Sequence, residues 1–580
     1  MPPEIFSKKI TGTGTNWLER INKGLEYRKK HGHEDRWDDI NRWYNNSDAN
    51  PAMPNFNLIY MMASATMPAL IFNKPGIINT PRSPQYNICA QFFDSVDNWL
   101  VDETELKAAA EQAALEAFLF NTATFFVGYD FPEEHIDPRS TMQFPSVPGL
   151  MDRSRRFNMP YLDAVPAERM IYAPGTKAVK NCPWATRLLK IPVNVLEQKK
   201  GINKKNIRAG FIPEWLKRGM GKDWMKDDIN SHGFMEVFQV HDAEKQERFW
   251  LTNDGKFLKE REPDPDQVDG LPFETLIFNQ NPQSIWGTPD SLYIETQYHE
   301  INEIKRDARR QRRVALLKAF VRADLLSETD KEKLVKGDPM SLIEVELTGD
   351  ARLSDAVMLV QPHVQMEFRE EKKDLLNETQ LLAGTGPNQL GTFAPGRRTK
   401  FEAQIVEERN LLRTGSRRNK LGENLANIIS KYNQHIVKNW TANIVMQVLG
   451  ADGALYWVEA PPAKFQNISS QIVTKVNVES MAPISRDRKR EELMALIQTL
   501  TKYPGANPLP LIQSFVSSFD WGDVSKVLPV ANTTPLNLNE FQGRQSELIG
   551  QENIGTTAAD NIDNVRRVVN ALPQLPQEAP

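Results

Sequence analysis

With 580 residues the chain has room for about three or four domains or one large mixed assembly. Its 40% apolar and 25% charged residues are ordinary for a globular protein, and a formal charge of −4 excludes coating nucleic acid through a general basic surface. The two cysteines, Cys89 and Cys182, belong to no CxxC pair, so they are expected to be buried small apolar side chains rather than a disulfide framework or zinc site.

In chain order, Met1–Ile10 carries no apolar leader core. Two short amphipathic helices are expected over 16–46, from Trp17, Ile21 and Leu25 and then Trp37, Ile40 and Tyr44. The longest apolar run, Leu58–Phe72, is broken by Pro68 and is too short for a membrane span, so a buried helix ending near Pro75 and a soluble protein are expected. Residues 84–126 read as helical, passing into a strand at Phe125–Tyr129. From 127 to 285 the signals are mainly β, clearest at Phe234–Val240 and at Glu247–Thr252, which the Asn253-Asp254-Gly255 turn joins to Lys256–Lys259.

Helix is expected again from Ile294 to Phe320, a run free of Gly and Pro, and then a mixed insert with strand-like Leu342–Leu347 and Ala356–Val360. Residues 364–383 are helical, and Gly384–Gly396 packs four glycines and two prolines into a flexible loop. The longest helix runs from Thr399 to about Trp440, with Leu421, Leu425, Ile428, Tyr432 and Ile436 as its stripe and Gly415 and Gly422 as expected kink points. Beyond it come paired strands over 453–480, a charged helix over 486–502, a shorter one over 505–519, and a poorly ordered tail from about 530.

No catalytic constellation emerges. Gly221-Lys222 is followed by Asp and lacks the upstream glycine of a nucleotide-binding loop, and GxSxG, HExxH and GxGxxG are absent. His31-Gly-His33 beside Glu34, Asp35, Asp38 and Asp39 reads as a solvated charged loop, since nothing fixes a metal geometry. Pro263-Asp264-Pro265-Asp266 with Asp269-Gly270 mimics an acidic calcium loop, but its prolines and the missing glutamate exclude an EF-hand. An enzyme, a cofactor and a metal are therefore not expected.

The informative unit is Trp286–Trp440: helix, small insert, helix, Gly-rich loop, very long helix. Here the sequence resembles the portal (head-to-tail connector) proteins of tailed double-stranded DNA phages, of podovirus type. The resemblance is carried by Trp286-Gly-Thr-Pro-Asp-Ser-Leu-Tyr at the entry to a first stem helix. It is carried also by Val478-Glu-Ser-Met-Ala-Pro-Ile-Ser-Arg-Asp-Arg-Lys-Arg-Glu-Glu and by the Asn-led apolar segment Asn57–Pro75. It covers about 55–520 and rests on element order and short phrases. It implies an α+β, ring-forming portal fold: an N-terminal helical arm (1–55), a wing of helices plus a β-rich part (56–287), a first stem helix (288–318), a clip (319–363), a second stem helix (364–383), a tunnel loop (384–398), a spine helix with wing strands (399–485), crown helices (486–530) and a tail (531–580).

The implied function is a structural channel at one capsid vertex, through which viral DNA is packaged and ejected. The implied partners are further copies in a 12-mer, double-stranded DNA, the terminase large subunit, the major capsid protein and a scaffold, and head–tail adaptor or tail proteins. No membrane is implied, and the places implied are the virion and, during assembly, the host cytoplasm. The clip would dock the motor and later the tail. The stem charges fit this: Arg306, Arg309, Arg310 and Arg313 of the first helix and Glu367, Glu370, Glu371 and Asp374 of the second would pair within and between subunits, as the stem's subunit contacts. Twelve helices about 9 Å apart make a circle about 34 Å across between axes. Subtracting a helix diameter of about 10 Å leaves a bore of about 24 Å, wide enough for a duplex. Asn388, Gln389, Arg397, Arg398 and Lys400, in and beside the tunnel loop, are the expected DNA neighbours. Two rivals remain open: another virion part such as a tail or adaptor protein, and a packaging enzyme such as a terminase, which needs the nucleotide loop and clustered acids not found.

Overall fold

In a computed structural model the described residues are 14–47, 55–71, 73–129, 159–199, 201–208, 233–314, 318–321, 357–360, 367–383, 400–440, 443–449, 454–461, 471–481, 486–500, 531–532 and 534–552, with 328, 329, 332, 465 and 515. They form mixed helices and sheets of α+β type, divided between two compact units. The first draws on Met1–Asp38, Ala63–Asp290 and Arg398–Pro580, the second on Asp39–Met62 and Ser291–Arg397.

The chain opens with helices α1 (Gly14–His31) and α2 (Glu34–Tyr44), at the expected period. Trp17 and Ile21 of α1 enter the core, where Trp17 meets Trp184 and Phe249 edge-on at 6.0 and 5.1 Å between ring centroids. Helix α3 (Leu58–Leu70) follows, with Pro68 inside its last turn. The helical stretch expected over 84–126 is two helices, α4 (Asn87–Glu103) and α5 (Leu106–Phe120). They part at Glu105, which takes the left-handed conformation at φ 51° after a run of acidic residues.

The β-rich part of the first unit is a five-stranded antiparallel meander: β4 (Met170–Tyr172), β5 (Trp184–Pro192), β6 (Phe234–Asp242), β7 (Glu247–Thr252) and β8 (Phe257–Pro263), with the short helix α6 (Val193–Gln198) directly after β5. The Asn253-Asp254-Gly255 turn joins β7 to β8 as expected. A second sheet sets β2 (Ala123–Tyr129) between β3 (Pro160–Val165) and β9 (Phe273–Leu276). Every residue of β2 is buried, so its continuous apolar run is a central strand, covered on both faces.

Beyond Trp286, α7 (Asp290–Tyr293) and α8 (Glu295–Val314) supply the first long helix of the second unit. Helix was expected as far as Phe320, but Lys318–Val321 is strand β10, paired antiparallel with β11 (Val357–Val360). β-branched and aromatic residues there meet a matching partner strand, which overrides a local helical preference. Helix α9 (Glu367–Ala383) returns, and α10 (Lys400–Asn439) runs 40 residues as one helix.

Gly422 does not break α10. A Cβ there would sit 2.7 Å from Val478 Cγ2, so the glycine permits close packing against the 472–481 segment. Leu421, Leu425, Ile428, Tyr432 and Ile436 are fully buried, so the apolar stripe is the core face.

The strands expected to pair over 453–480 do not pair with each other. β13 (Leu455–Ala460) lies between β12 (Ile444–Leu449) and β15 (Leu536–Asn537), and β14 (Ile472–Asn477) pairs with β1 (Gly76–Pro81), nearly 400 residues earlier in the chain. Helix α11 (Arg486–Leu500) matches its expectation, but the tail is ordered farther than its composition suggests. Helix α12 (Leu538–Glu552) buries Leu538 and Phe541, the latter 5.3 Å from the ring of Tyr456. The 505–519 helix and the Leu342–Leu347 strand lie outside the described residues, apart from Phe515.

A buried carboxylate ties α4 to this framework. Asp97 is fully buried; its Oδ2 accepts from Asn79 Nδ2 at 2.7 Å and Asn433 Nδ2 at 3.1 Å, while its Oδ1 has no partner among the described residues. Burial pushes its pKa from 3.8 up to about 7 against those two hydrogen bonds, with nearby Asp94 adding to the rise. Burial likewise lifts Asp94 to about 6. A raised carboxyl binds its proton more tightly folded than unfolded. Its stabilising effect is full below the unfolded value and is lost as pH rises through the folded one. The thermal midpoint should therefore fall as pH rises from about 4 through 7, and Asp97→Asn should flatten that slope. A slope identical in the variant would show that Asp97 is not the group responsible.

Candidate functional site

The site predicted from sequence lies in the second unit, on α8 and α9. These helices pack on one another, and Ile301, Asn302 and Ile304 of α8 and Leu375 and Thr379 of α9 are buried. The remaining faces carry the charge. Arg306, Arg310 and Arg313, at i, i+4 and i+7, share one flank of α8 and are all exposed; Arg309 is half-buried. On α9, Glu371, Asp374 and Glu378 share a flank at i, i+3 and i+7 and are exposed, as is Glu370 beside them. Glu367 opens the helix, and its side chain is outside the described residues.

Opposite charge on neighbouring helices is expected to pair, and among the described residues the charges of α8 and α9 do not pair with one another. Among the described residues no carboxylate pairs with Arg306, Arg312 or Arg313, and no cation pairs with Glu370, Glu371, Asp374 or Glu378. Arg306 Nε and Arg312 Nε instead donate to the carbonyls of Asn302 and Ala308 at 3.2 and 3.3 Å. Arg310 reaches Asp307 on its own helix at 3.8 Å with its side chain 83% exposed, a contact of little energetic weight. Each flank instead sets like charges one turn apart, which costs about 0.2–0.5 kcal/mol per pair in an isolated helix. An external partner of opposite sign would relieve both flanks.

The entry to α8 is built by the first unit. Trp286 is fully buried between Trp37 and Tyr172, at 6.3 and 5.5 Å between centroids. A Cβ on Gly287 would lie 2.6 Å from the Asn279 carbonyl oxygen and 2.6 Å from Ile277, so only glycine fits after that tryptophan. Asp290 then accepts from Arg417 Nη2 of α10 at 2.5 Å.

Of the expected DNA neighbours, Asn388, Gln389, Arg397 and Arg398 lie outside the described residues. Lys400 begins α10, with its side chain likewise outside. The 319–363 insert is described only at its base, the β10–β11 pair, and at three isolated residues. Among the described residues no group of His, Cys, Asp and Glu is arranged to hold a metal ion, and no helix is long and apolar enough to cross a membrane. Cys89 and Cys182 are buried and not joined in a disulfide, and burial pushes the Cys182 thiol up.

Two polar constellations in the first unit escaped the sequence reading. Asp264 and Asp266, read as a mimic of a calcium loop, are internal. Asp264 Oδ2 lies 2.6 Å from His241 Nδ1 with both side chains fully buried, and Asp266 pairs with Arg248 at 2.8 Å. Burial alone would raise the Asp264 carboxyl, but His241 and Arg248 outweigh it and hold the pKa below its ordinary value. The second constellation is the polar face of α10. Lys420, Asn424 and Lys431 donate to the carbonyls of Phe278, Thr275, Leu271 and Phe273 at 2.7–3.0 Å, and Lys431 also meets Glu274 at 2.9 Å. Both constellations fasten structure rather than face solvent.

Neither a protein-family model nor a curated protein sequence matches the chain.

Proposed function

We propose that this chain is the portal subunit of a tailed double-stranded DNA phage. It would form a ring at one capsid vertex through which the genome is packaged and released. The observation that carries this reading is the opposite charge on the exposed flanks of α8 and α9, which among the described residues does not pair between the two helices. A basic flank on one helix and an acidic flank on its neighbour make a heterologous surface, and copies joined that way close into a ring when the rotation permits. The order of elements supports the same reading: helix, insert closed by the β10–β11 pair, returning helix, and after 384–399 a 40-residue helix. In this reading α8 and α9 are the stem, 319–363 the clip that docks the packaging terminase and later the adaptor or tail, and 384–398 the loop beside passing DNA. The wing meets capsid protein and scaffold.

A ring of twelve at −4 each carries about −48, which keeps DNA from sticking to the wall as it slides. No catalytic step belongs to this role. The purified protein should appear in electron micrographs as rings with a central hole and sediment as a species many times 66.1 kDa. A single 66.1 kDa species at every protein and salt concentration would overturn the reading.

A further inference from the structure

A second feature of the helix pair concerns a single chain and stands apart from the assembly reading. Lys305 of α8 and Lys372 of α9 approach the same aromatic ring: their Nζ atoms lie 5.3 and 5.1 Å from the centroid of Phe56. Two ammonium groups from separate helices thus converge on one spot, no farther apart than those two distances combined. Among the described residues neither has a carboxylate partner. The arrangement is held in place. Asn302, 4% exposed, accepts from the Phe56 backbone N–H through Oδ1 at 2.6 Å and donates through Nδ2 to the Phe56 carbonyl at 3.3 Å. Lys305 Nζ donates to the Asn55 carbonyl at 3.4 Å.

Like charges brought together cost free energy unless something offsets it. The ring face supplies part, since each cation is attracted to the π quadrupole. What remains shows at Lys305, where burial first and the Lys372 charge second hold the pKa below its ordinary value. We propose that Lys305 and Lys372, seated against Phe56, form a two-point clamp for a phosphate-class oxyanion. Compact ammonium heads, each with three N–H donors, bind phosphate oxyanions as point charges, and two of them can share the several oxygens of one such group. Arg306 and Arg309 on the same helix extend the positive field, so free phosphate and the phosphodiester of a polynucleotide present the same chemistry here.

The test is lysine footprinting of the full-length protein by acetic anhydride with mass spectrometry, because only an unprotonated, unoccupied amine reacts. Inorganic phosphate, compared with chloride at equal ionic strength, should slow acetylation of Lys305 and Lys372 several-fold while exposed Lys373 is unchanged. Lys372→Gln should abolish the phosphate protection of Lys305, with an unchanged circular dichroism spectrum as the folding control. A duplex oligonucleotide forms the second arm. Protection by both probes assigns a site for the phosphate group itself, and protection by the duplex alone assigns a backbone phosphate. No protection by either probe overturns the clamp. So does protection that appears without anion as protein concentration rises, which would mean that an acidic side chain of a second copy fills the place.

Discussion

Asp264→Ala is expected to destabilise the first unit by roughly 3–5 kcal/mol, because it leaves a fully buried imidazole without its partner. The His241–Asp264 contact is short and sealed, with 0% side-chain exposure on both residues. Nor does it stand alone. Asp264 Oδ1 accepts from the Asp266 backbone N–H at 3.1 Å, Asp266 Oδ1 accepts from the Tyr129 backbone N–H at 3.1 Å, and Asp266 Oδ2 takes Arg248 Nη1 at 2.8 Å. Arg248 in turn grips Glu262 through Nε and Nη2 at 3.0 and 2.8 Å. The network therefore joins the end of β2 to the β6–β7–β8 meander, so losing one member frees several buried groups. Asp264→Asn keeps the shape and part of the hydrogen bonding and should cost markedly less. Chemical denaturation of the two variants checks this, and equal, small losses would show that the network contributes little.

Those same residues mark where sequence reasoning stopped. Helices α1, α2 and α10 were legible because an apolar stripe at 3–4 spacing is a local signal, and α8 because a long run free of Gly and Pro is another. The β7–β8 turn was legible because Asn-Asp-Gly meets a local backbone demand. The structural role of Asp264 and Asp266 was not legible, because an acidic loop flanked by prolines looks the same whether it faces water or a buried imidazole 23 residues away. Nothing local to Lys431 marks it as buried, yet it donates to a carbonyl 160 residues distant. The pairing of β14 with β1 rather than β13 is likewise non-local, and no alternation pattern names a strand's partner. In the candidate site the opposite bias of the two helices was readable, but that those charges do not pair with one another among the described residues was not. Nor was the convergence of Lys305 and Lys372 on Phe56, since that ring lies about 250 residues before the first lysine in sequence.

Charge reversal on the helix pair should have the largest effect on assembly. The triple variant Arg306→Glu, Arg310→Glu and Arg313→Glu presents acid on both flanks, and every junction of a ring would then set like charges together. Such juxtaposition costs several kcal/mol per interface, so rings should be lost while the folded subunit remains. These side chains are exposed and none anchors the core, which keeps the fold out of the result. Glu371→Lys, Asp374→Lys and Glu378→Lys together give the converse subunit, basic on both flanks, and should fail alone for the same reason. Mixed in equal amounts, the two variants restore every contact, because each acidic flank now meets a basic one. Rings should reappear with the two subunits alternating. Native mass spectrometry reads the outcome directly. Rings formed by either triple variant alone, or no rings from the mixture, would remove these flanks from the subunit interface. Alternation also closes only for an even number of copies, so an intact mixed ring fixes the parity of the assembly.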